Sequence, residues 1–182
     1  MNPKVLRERL LKKRPNVRPL EILNDGGYSK DIKILWVGHR HSPFLGLPTD
    51  IPQDQFVMEV LKSANQAEFY VVDDENNEYD GRGIIALIAV KSDGWRVEPH
   101  VEFFPWATNR NVLRTCVAFF QMIRNSRKVG VCVIKSLRDS VNLFNHCIKY
   151  FPPGVLWKVG KIPNGDQRGD EYLYSIKGRK NS

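Results

Sequence analysis

The sequence predicts an α/β chain, an α+β mixed sheet with the element order β-α-α-β-β-β-α-β-α-β-β. Three observations predict it. Residues 83–91 form a continuous apolar run bounded by turn signals, the pattern of a buried central strand. Residues 101–104 make an apolar strand end that breaks at Pro105, crosses a short polar turn and opens a helix from Arg110 to about Asn125. The β-branched run 129–134 follows that helix, and a parallel return to such a strand requires a right-handed crossover.

The elements are justified in order. Pro3 suits the first turn of a helix that ends before Pro15, with Val5, Leu6, Leu10 and Leu11 near one face. Residues 17–23 read as a short strand, stopped by the turn Asn24-Asp25-Gly26-Gly27. A helix is expected from Ser29 or Lys30 to Val37, then a loop over 39–52 with Pro43, Gly46, Pro48 and Pro52. Asp54 is expected to cap a helix to Ala64, whose Phe56, Val57, Val60 and Leu61 share one side.

Strands at 68–73 and 83–91 flank the acidic turn Asp74-Glu75-Asn76-Asn77-Glu78. Ser92-Asp93-Gly94 reads as a hairpin turn into a third strand, 95–104, in which Pro99 marks a bulge or edge distortion. The helix from Arg110 presents Leu113, Cys116, Val117, Phe120 and Ile123 at helical spacing. A helix over 139–150 carries Val141, Phe144 and Ile148 on one face. Strands at 156–162 and 171–176 close the chain, joined by Pro163-Asn164-Gly165-Asp166.

A length of 182 residues with 42% hydrophobic content suits one domain with a real core. The division expected is a basic arm at 1–16, a body at 17–178 and a basic tail at 179–182. No run of 18 apolar residues provides a transmembrane segment, and the N-terminus lacks the apolar region of a signal peptide. Cys116, Cys132 and Cys147 lack metal-type spacing and read as buried free thiols of a reducing compartment. The net charge of +8 is uneven: residues 1–18 hold seven basic residues against Glu8 alone, a local +6. Such a segment suits nucleic acid, an acidic lipid surface or an acidic protein groove, and equally a solvated helix kept soluble by its charge. No aromatic residue interleaves it, which argues against stacking on bases.

The junction Val101-Glu102-Phe103-Phe104-Pro105-Trp106-Ala107-Thr108-Asn109-Arg110-Asn111-Val112-Leu113-Arg114 carries the chemistry. A strand that turns into a helix aims backbone N–H groups at one spot, where an anion such as a pyrophosphate can sit. Its spacing resembles the acyl-CoA-binding motif of the GCN5-related N-acetyltransferase (GNAT) superfamily, and the element order resembles that fold across about residues 17–178. Phe103 and Pro105 stand at the family's V-x-P positions. Thr108, Asn111 and Leu113 stand at the Q/R and the two glycines of its Q/R-x-x-G-x-G/A turn. The spacing is kept and the residues are changed; without glycine a Cβ stands between backbone and phosphate.

The resemblance implies acetyl-CoA as cofactor and an amine as acceptor. It places cofactor contacts at Phe103, Asn109, Arg110, Asn111, Val112, Leu113, Arg114 and Asp139. Phe103 is where the family's backbone amide polarises the thioester carbonyl. Arg110 and Arg114 are either phosphate partners in place of the glycines or solvated helix arginines. Glu102 and His100 lie on one face of the strand and are the candidate bases, set against a reading as ordinary polar-face residues. His146 falls near the family's acid tyrosine and Asp139 near its asparagine, with Phe144 and Tyr150 one register away. The stretches 101–107 and 154–160 are similar to compact acetyltransferase-like proteins of bacteriophages. That implies a location in the cytoplasm of a host cell, or association with a virion.

Two functions are therefore expected. One is transfer of an acetyl group from acetyl-CoA to an amine. The other is a catalytically degenerate scaffold of the same fold that docks through its basic arm on nucleic acid or a protein partner. No P-loop, Ser-His-Asp spacing or metal cluster supports another class.

Overall fold

The computed structural model describes residues 15–41, 43–44, 46–74, 83–93, 96–126, 131–137, 141–166 and 169–178. The basic arm up to residue 14, the acidic turn from residue 75, Asp139 and the C-terminal tail lie outside them. The described residues gather into two compact units, one of Pro15–Lys91 with His100–Val112, the other of Ser92–Pro99 with the chain from Leu113 onward.

The first unit opens with strand β1 (Asn16–Pro19) and a two-residue hairpin, β2 (Leu23–Asn24) and β3 (Gly27–Tyr28). Asn24 Oδ1 accepts the Gly26 N–H at 3.1 Å, and Gly27 takes φ 106°, a conformation glycine adopts without strain. Helix α1 (Lys30–His39) starts at Ser29, whose Oγ accepts the Ile32 N–H at 3.1 Å. Helix α2 (Gln53–Ala64) begins one residue before Asp54, with Pro52 in the cap position and no side-chain cap. Asp54 is therefore not the cap it was expected to be: it sits in the first turn and accepts from the Tyr28 hydroxyl at 2.7 Å. A carboxylate there still meets the positive end of the helix.

Strands β4 (Glu68–Asp73), β5 (Ile84–Asp93) and β6 (Arg96–Phe103) follow. The β5 strand runs through Ser92 and Asp93, two residues of the expected turn, and Gly94 lies outside the described residues. In this unit the strand order is β1-β4-β5-β6. The continuous apolar run becomes β5, in which Ile84, Ile85, Ala86, Leu87 and Ile88 are all buried. Ile32 and Leu35 of α1 and Phe56, Val57 and Val60 of α2 join the same unit's core. Arg18 of β1 binds Asp31 of α1 through two nitrogens, at 2.6 and 2.8 Å, and Asp73 of β4 through Nε.

The second unit contains helix α3 from Leu113 on (the helix spans Asn109–Ser126), β7 (Val131–Leu137), α4 (Val141–Ile148), β8 (Leu156–Asp166) and β9 (Gly169–Lys177). Its strand order is β6-β7-β9-β8. The start of β6 pairs with β7 in parallel, Arg96↔Val133 and Val97↔Ile134, and the register ends there although both strands continue. This is the parallel return that the crossover required. Phe120 meets Phe144 edge-on at 5.0 Å, and Phe144 meets Tyr174 at 5.3 Å, giving the unit an aromatic core. Cys116 and Cys147 are buried free thiols; the hydrogen bond to Cys116, then burial, pushes the Cys147 thiol well above its usual range.

The expected turn at 163–166 is a correction. Those residues belong to β8, and the pairing with β9 slips between Ile162↔Glu171 and Asp166↔Gly169. Asn164 takes φ 50°, so the turn-forming residues make a bulge within the hairpin arm instead of its end.

Candidate acyl-donor site

The site is built at the end of β6. The Phe104 N–H donates to the Ile85 carbonyl at 3.0 Å. Successive N–H groups of a strand point to opposite edges, so the Phe103 N–H is directed away from β5. Chain direction then reverses: the Ala107 N–H returns to the Phe104 carbonyl at 2.9 Å across Pro105 and Trp106. The Trp106 indole N–H donates to the Ile84 carbonyl at 2.8 Å, and its ring lies 4.6 Å from that of Phe104. Phe104 also packs on Phe44 at 5.1 Å and over Gly38, where a Cβ would come within 2.2 Å of its ring. The strand end is thus fixed by ring packing on one side and a ladder bond on the other.

Helix α3 begins directly after Thr108. The Val112 N–H bonds the Thr108 carbonyl at 3.1 Å, which makes Thr108 the N-cap. Thr108 Oγ1 accepts the Asn111 N–H at 3.3 Å. Asn111 Oδ1 in turn accepts the Thr108 N–H at 2.8 Å and its hydroxyl at 2.6 Å. This is a reciprocal capping arrangement with Asn in the place usually taken by Glu or Gln. Asn111 Nδ2 then donates to Asp74 Oδ2 at 2.6 Å. Asn111 and Asp74 are both buried, 6% and 2% exposed.

The sequence-named residues divide between the two units. His100, Glu102, Phe103, Asn109, Arg110, Asn111 and Val112 fall together in the first. His100 is exposed and Glu102 half-buried, two residues apart on β6; Asn109 and Arg110 are exposed on the first turn of α3. Leu113, Arg114 and His146 belong to the second unit. Arg114 is 5% exposed, unlike Arg110, so the two arginines are not equivalent. His146 is exposed on α4, with Nε2 3.4 Å from the Tyr150 hydroxyl. Burial, then Cys147, raises the Tyr150 phenol above its ordinary value.

Sequence reasoning did not name Asp74 as part of the site. Asn111, which stands at a glycine position of the family's turn, is the third residue of α3 and acts through its side chain. The one available signal was T-x-x-N ahead of an apolar periodic run, a capping pattern. The partnership with Asp74 spans 37 residues and has no local signature.

Chemically, the arrangement offers one backbone amide aimed off a strand end, two first-turn amides at Asn109 and Arg110, and polar side chains at 100 and 102. Among the described residues no cluster of His, Cys, Asp and Glu could hold a metal ion, and no helix is long and apolar enough to cross a membrane.

No known protein-family profile and no curated protein sequence matches this chain. Solved structures do. A spermidine N-acetyltransferase from Vibrio cholerae, solved in complex with CoA and spermine, aligns with a TM-score of 0.58 at 13% identity, over 90% of this chain and 96% of that one. A chimera of the Vibrio cholerae and human enzymes gives 0.57 at 12% identity, over 90% and 95%. A probable GNAT-family acetyltransferase from Chromobacterium violaceum gives 0.55 at 13% identity, over 90% and 83%. At such identities the likeness establishes the fold, and the chain has the GNAT acyl-CoA N-acyltransferase fold.

Proposed function

We propose that this chain transfers an acyl group from a CoA-type thioester to a primary amine. The observation that carries the proposal is the Phe103 amide. It is directed away from β5 at a rigid strand end, one tight turn before the helix whose first two residues are exposed. A thioester carbonyl seated on it would be polarised where negative charge develops during attack, and a preorganised donor of this kind contributes most when water is excluded. The amine forms the new C–N bond and the C–S bond breaks. The amine proton passes to Glu102 or His100, and the thiolate leaves with the donor. Asn109 and Arg110 would meet the donor's phosphates, Arg110 with a charged side chain as well as its amide.

The shared fold supports this reading, and the Vibrio cholerae enzyme bound to CoA and spermine supports an amine acceptor. The test is transfer of labelled acetyl from acetyl-CoA to a panel of primary amines that includes spermidine, spermine and peptide N-termini. Label should appear in at least one amine, and Glu102→Gln or His100→Asn should lower kcat by about 10²-fold or more, the range for a general base. No transfer to any amine by a folded protein would overturn the proposal.

A further inference from the structure

We infer that Cys116 and Cys147 form a redox-sensitive staple: a peroxide converts the two thiols into a disulfide that ties the last turn of α4 to α3. The staple operates whether or not the chain transfers acyl groups.

The packing of α3 on α4 brings the two sulfurs together. Phe120 of α3 and Phe144 of α4 meet edge-on at 5.0 Å. Cys116 lies four residues before Phe120, and Cys147 three residues after Phe144. Each cysteine therefore shares a helix face with its phenylalanine, one turn along. The two thiols hydrogen-bond to each other, so the helices run antiparallel along this seam. Both cysteines lie in one compact unit; Cys116 is 4% exposed and Cys147 fully buried. Neither is in a disulfide in this structure. Sulfurs already in contact are one short approach from a covalent bond.

Access comes from the end of α4. Cys147 is the last residue but one of an eight-residue helix. Three bonds hold the turn that follows: the Lys149 N–H to the His146 carbonyl at 3.2 Å, the Tyr150 N–H to the Cys147 carbonyl at 2.9 Å, and the Phe151 N–H to the Ile148 carbonyl at 3.1 Å. The last turn of a short helix opens at lower cost than the core does. His146 is exposed beside it, so opening lets a small uncharged oxidant reach Cys147. While the turn is closed, the hydrogen bond to Cys116 and burial keep the Cys147 thiol protonated, and a thiol is a poor nucleophile. In the opened turn one thiol gives its proton to water and its sulfur attacks a peroxide oxygen. The O–O bond breaks, leaving a sulfenic acid and one water. The second sulfur displaces the hydroxyl as a second water and forms the S–S bond. Two protons and two electrons leave the protein and reduce one hydrogen peroxide to two waters. A dithiol reductant reverses the change.

The experiment treats the folded, reduced full chain with hydrogen peroxide, alkylates the remaining thiols after unfolding, and maps the bonds by mass spectrometry. The chain should lose two hydrogens, and Cys116 and Cys147 should appear in one cross-linked species. The bond closes a loop of about 30 residues, so the oxidised protein should melt about 10 °C above the reduced one. Dithiothreitol should restore the lower value. Hydrogen exchange at the amides of Lys149, Tyr150 and Phe151 should slow severalfold on oxidation, because the staple holds the turn closed. Cys147→Ser should abolish all three effects, and Cys116→Ala serves if that variant fails to fold. A folded chain that keeps both thiols overturns the inference. So does one that takes up oxygen on a single cysteine without the cross-link, or that pairs either cysteine with Cys132. A cross-linked chain with unchanged melting and unchanged exchange overturns it as well.

Discussion

His39 takes the backbone N–H of Phe44 on Nδ1 at 2.9 Å, and its Nε2 lies 2.7 Å from the Pro48 carbonyl. Because a backbone N–H can only donate, Nδ1 must be the acceptor and Nε2 must carry the proton. The ring is fully buried and stacks on Phe56 at 4.9 Å. A single imidazole therefore ties the end of α1 to the segment before α2. It also holds Phe44, whose ring packs on Phe104 beside the Phe103 amide. His39→Ala should destabilise the protein by about 3 kcal/mol, since it opens a cavity and leaves the buried Phe44 N–H without its acceptor. A denaturant midpoint close to that of the wild type would contradict the assignment.

Gly38→Ala offers a sharper test of the strand-end packing. On an isolated helix the change should help, by about 1 kcal/mol. Here the added Cβ would fall 2.2 Å from the Phe104 ring, which Phe44 and Trp106 hold in place. Overpacking costs about 1–3 kcal/mol, so the balance should be net loss. Thermal melting decides the sign, and a stabilised variant would mean that Phe104 is free to move aside.

Arg18 joins Asp31 and Asp73 with a third of its side chain exposed. The pairing raises its guanidinium pKa far above the already high usual value, Asp31 being the largest cause. Arg18→Ala should cost about 2 kcal/mol, less than a fully buried pair because solvent screens the site. Arg18→Lys should recover little of it, because an ammonium cannot reproduce the fork that meets both oxygens of Asp31. Equal stability of the Lys variant and the wild type would show that charge alone matters.

Tyr174 predicts an alkaline effect. Burial, with smaller contributions from Tyr172 and Cys147, pushes its phenol up to about 12 from an ordinary value of 10. The folded state therefore keeps the proton that the unfolded chain begins to lose at pH 10. Stability from this group is complete below pH 10 and is lost as pH rises through about 12. The loss is on the order of 3 kcal/mol, from the energy of a shift of about two pH units. Tyr174→Phe should flatten the fall in stability between pH 10 and 12. It should also lower stability at neutral pH, because the hydroxyl lies 3.0 Å from Asn145 Oδ1 and 3.3 Å from the Val141 carbonyl of α4. An unaltered alkaline limb would place the titrating groups elsewhere.

Arg110→Ala should weaken CoA binding by about 1–3 kcal/mol, the range for hydrogen bonds to charged groups. Its neighbour on the same helical face, Arg114, is buried at 5% exposure, and Arg114→Ala should show itself first in stability. Calorimetry and melting on both variants separate the two roles. Equal effects on binding with no effect on stability would contradict the distinction.

The sequence by itself determined the elements and their order. Local pattern is enough to mark β5, a run of seven consecutive apolar residues over 84–90, and α3, where apolar residues recur at helical spacing. It also located the strand–turn–helix junction, because Pro105 and the polar turn are punctuation that any backbone must obey. Tertiary structure decided what that junction can hold. Asn111 looked like a poor glycine because its backbone was all the sequence could judge. Folding brings Asp74 to it from 37 residues away and turns it into a side-chain cap. Folding likewise gave Gly38 its reason, the Phe104 ring that a Cβ would strike. It also moved the 163–166 turn residues into a bulge, because pairing with β9 continued past them. Strand and helix formation rest on neighbours in the chain; charge, capping and close packing at a site depend on groups that only the folded chain brings together.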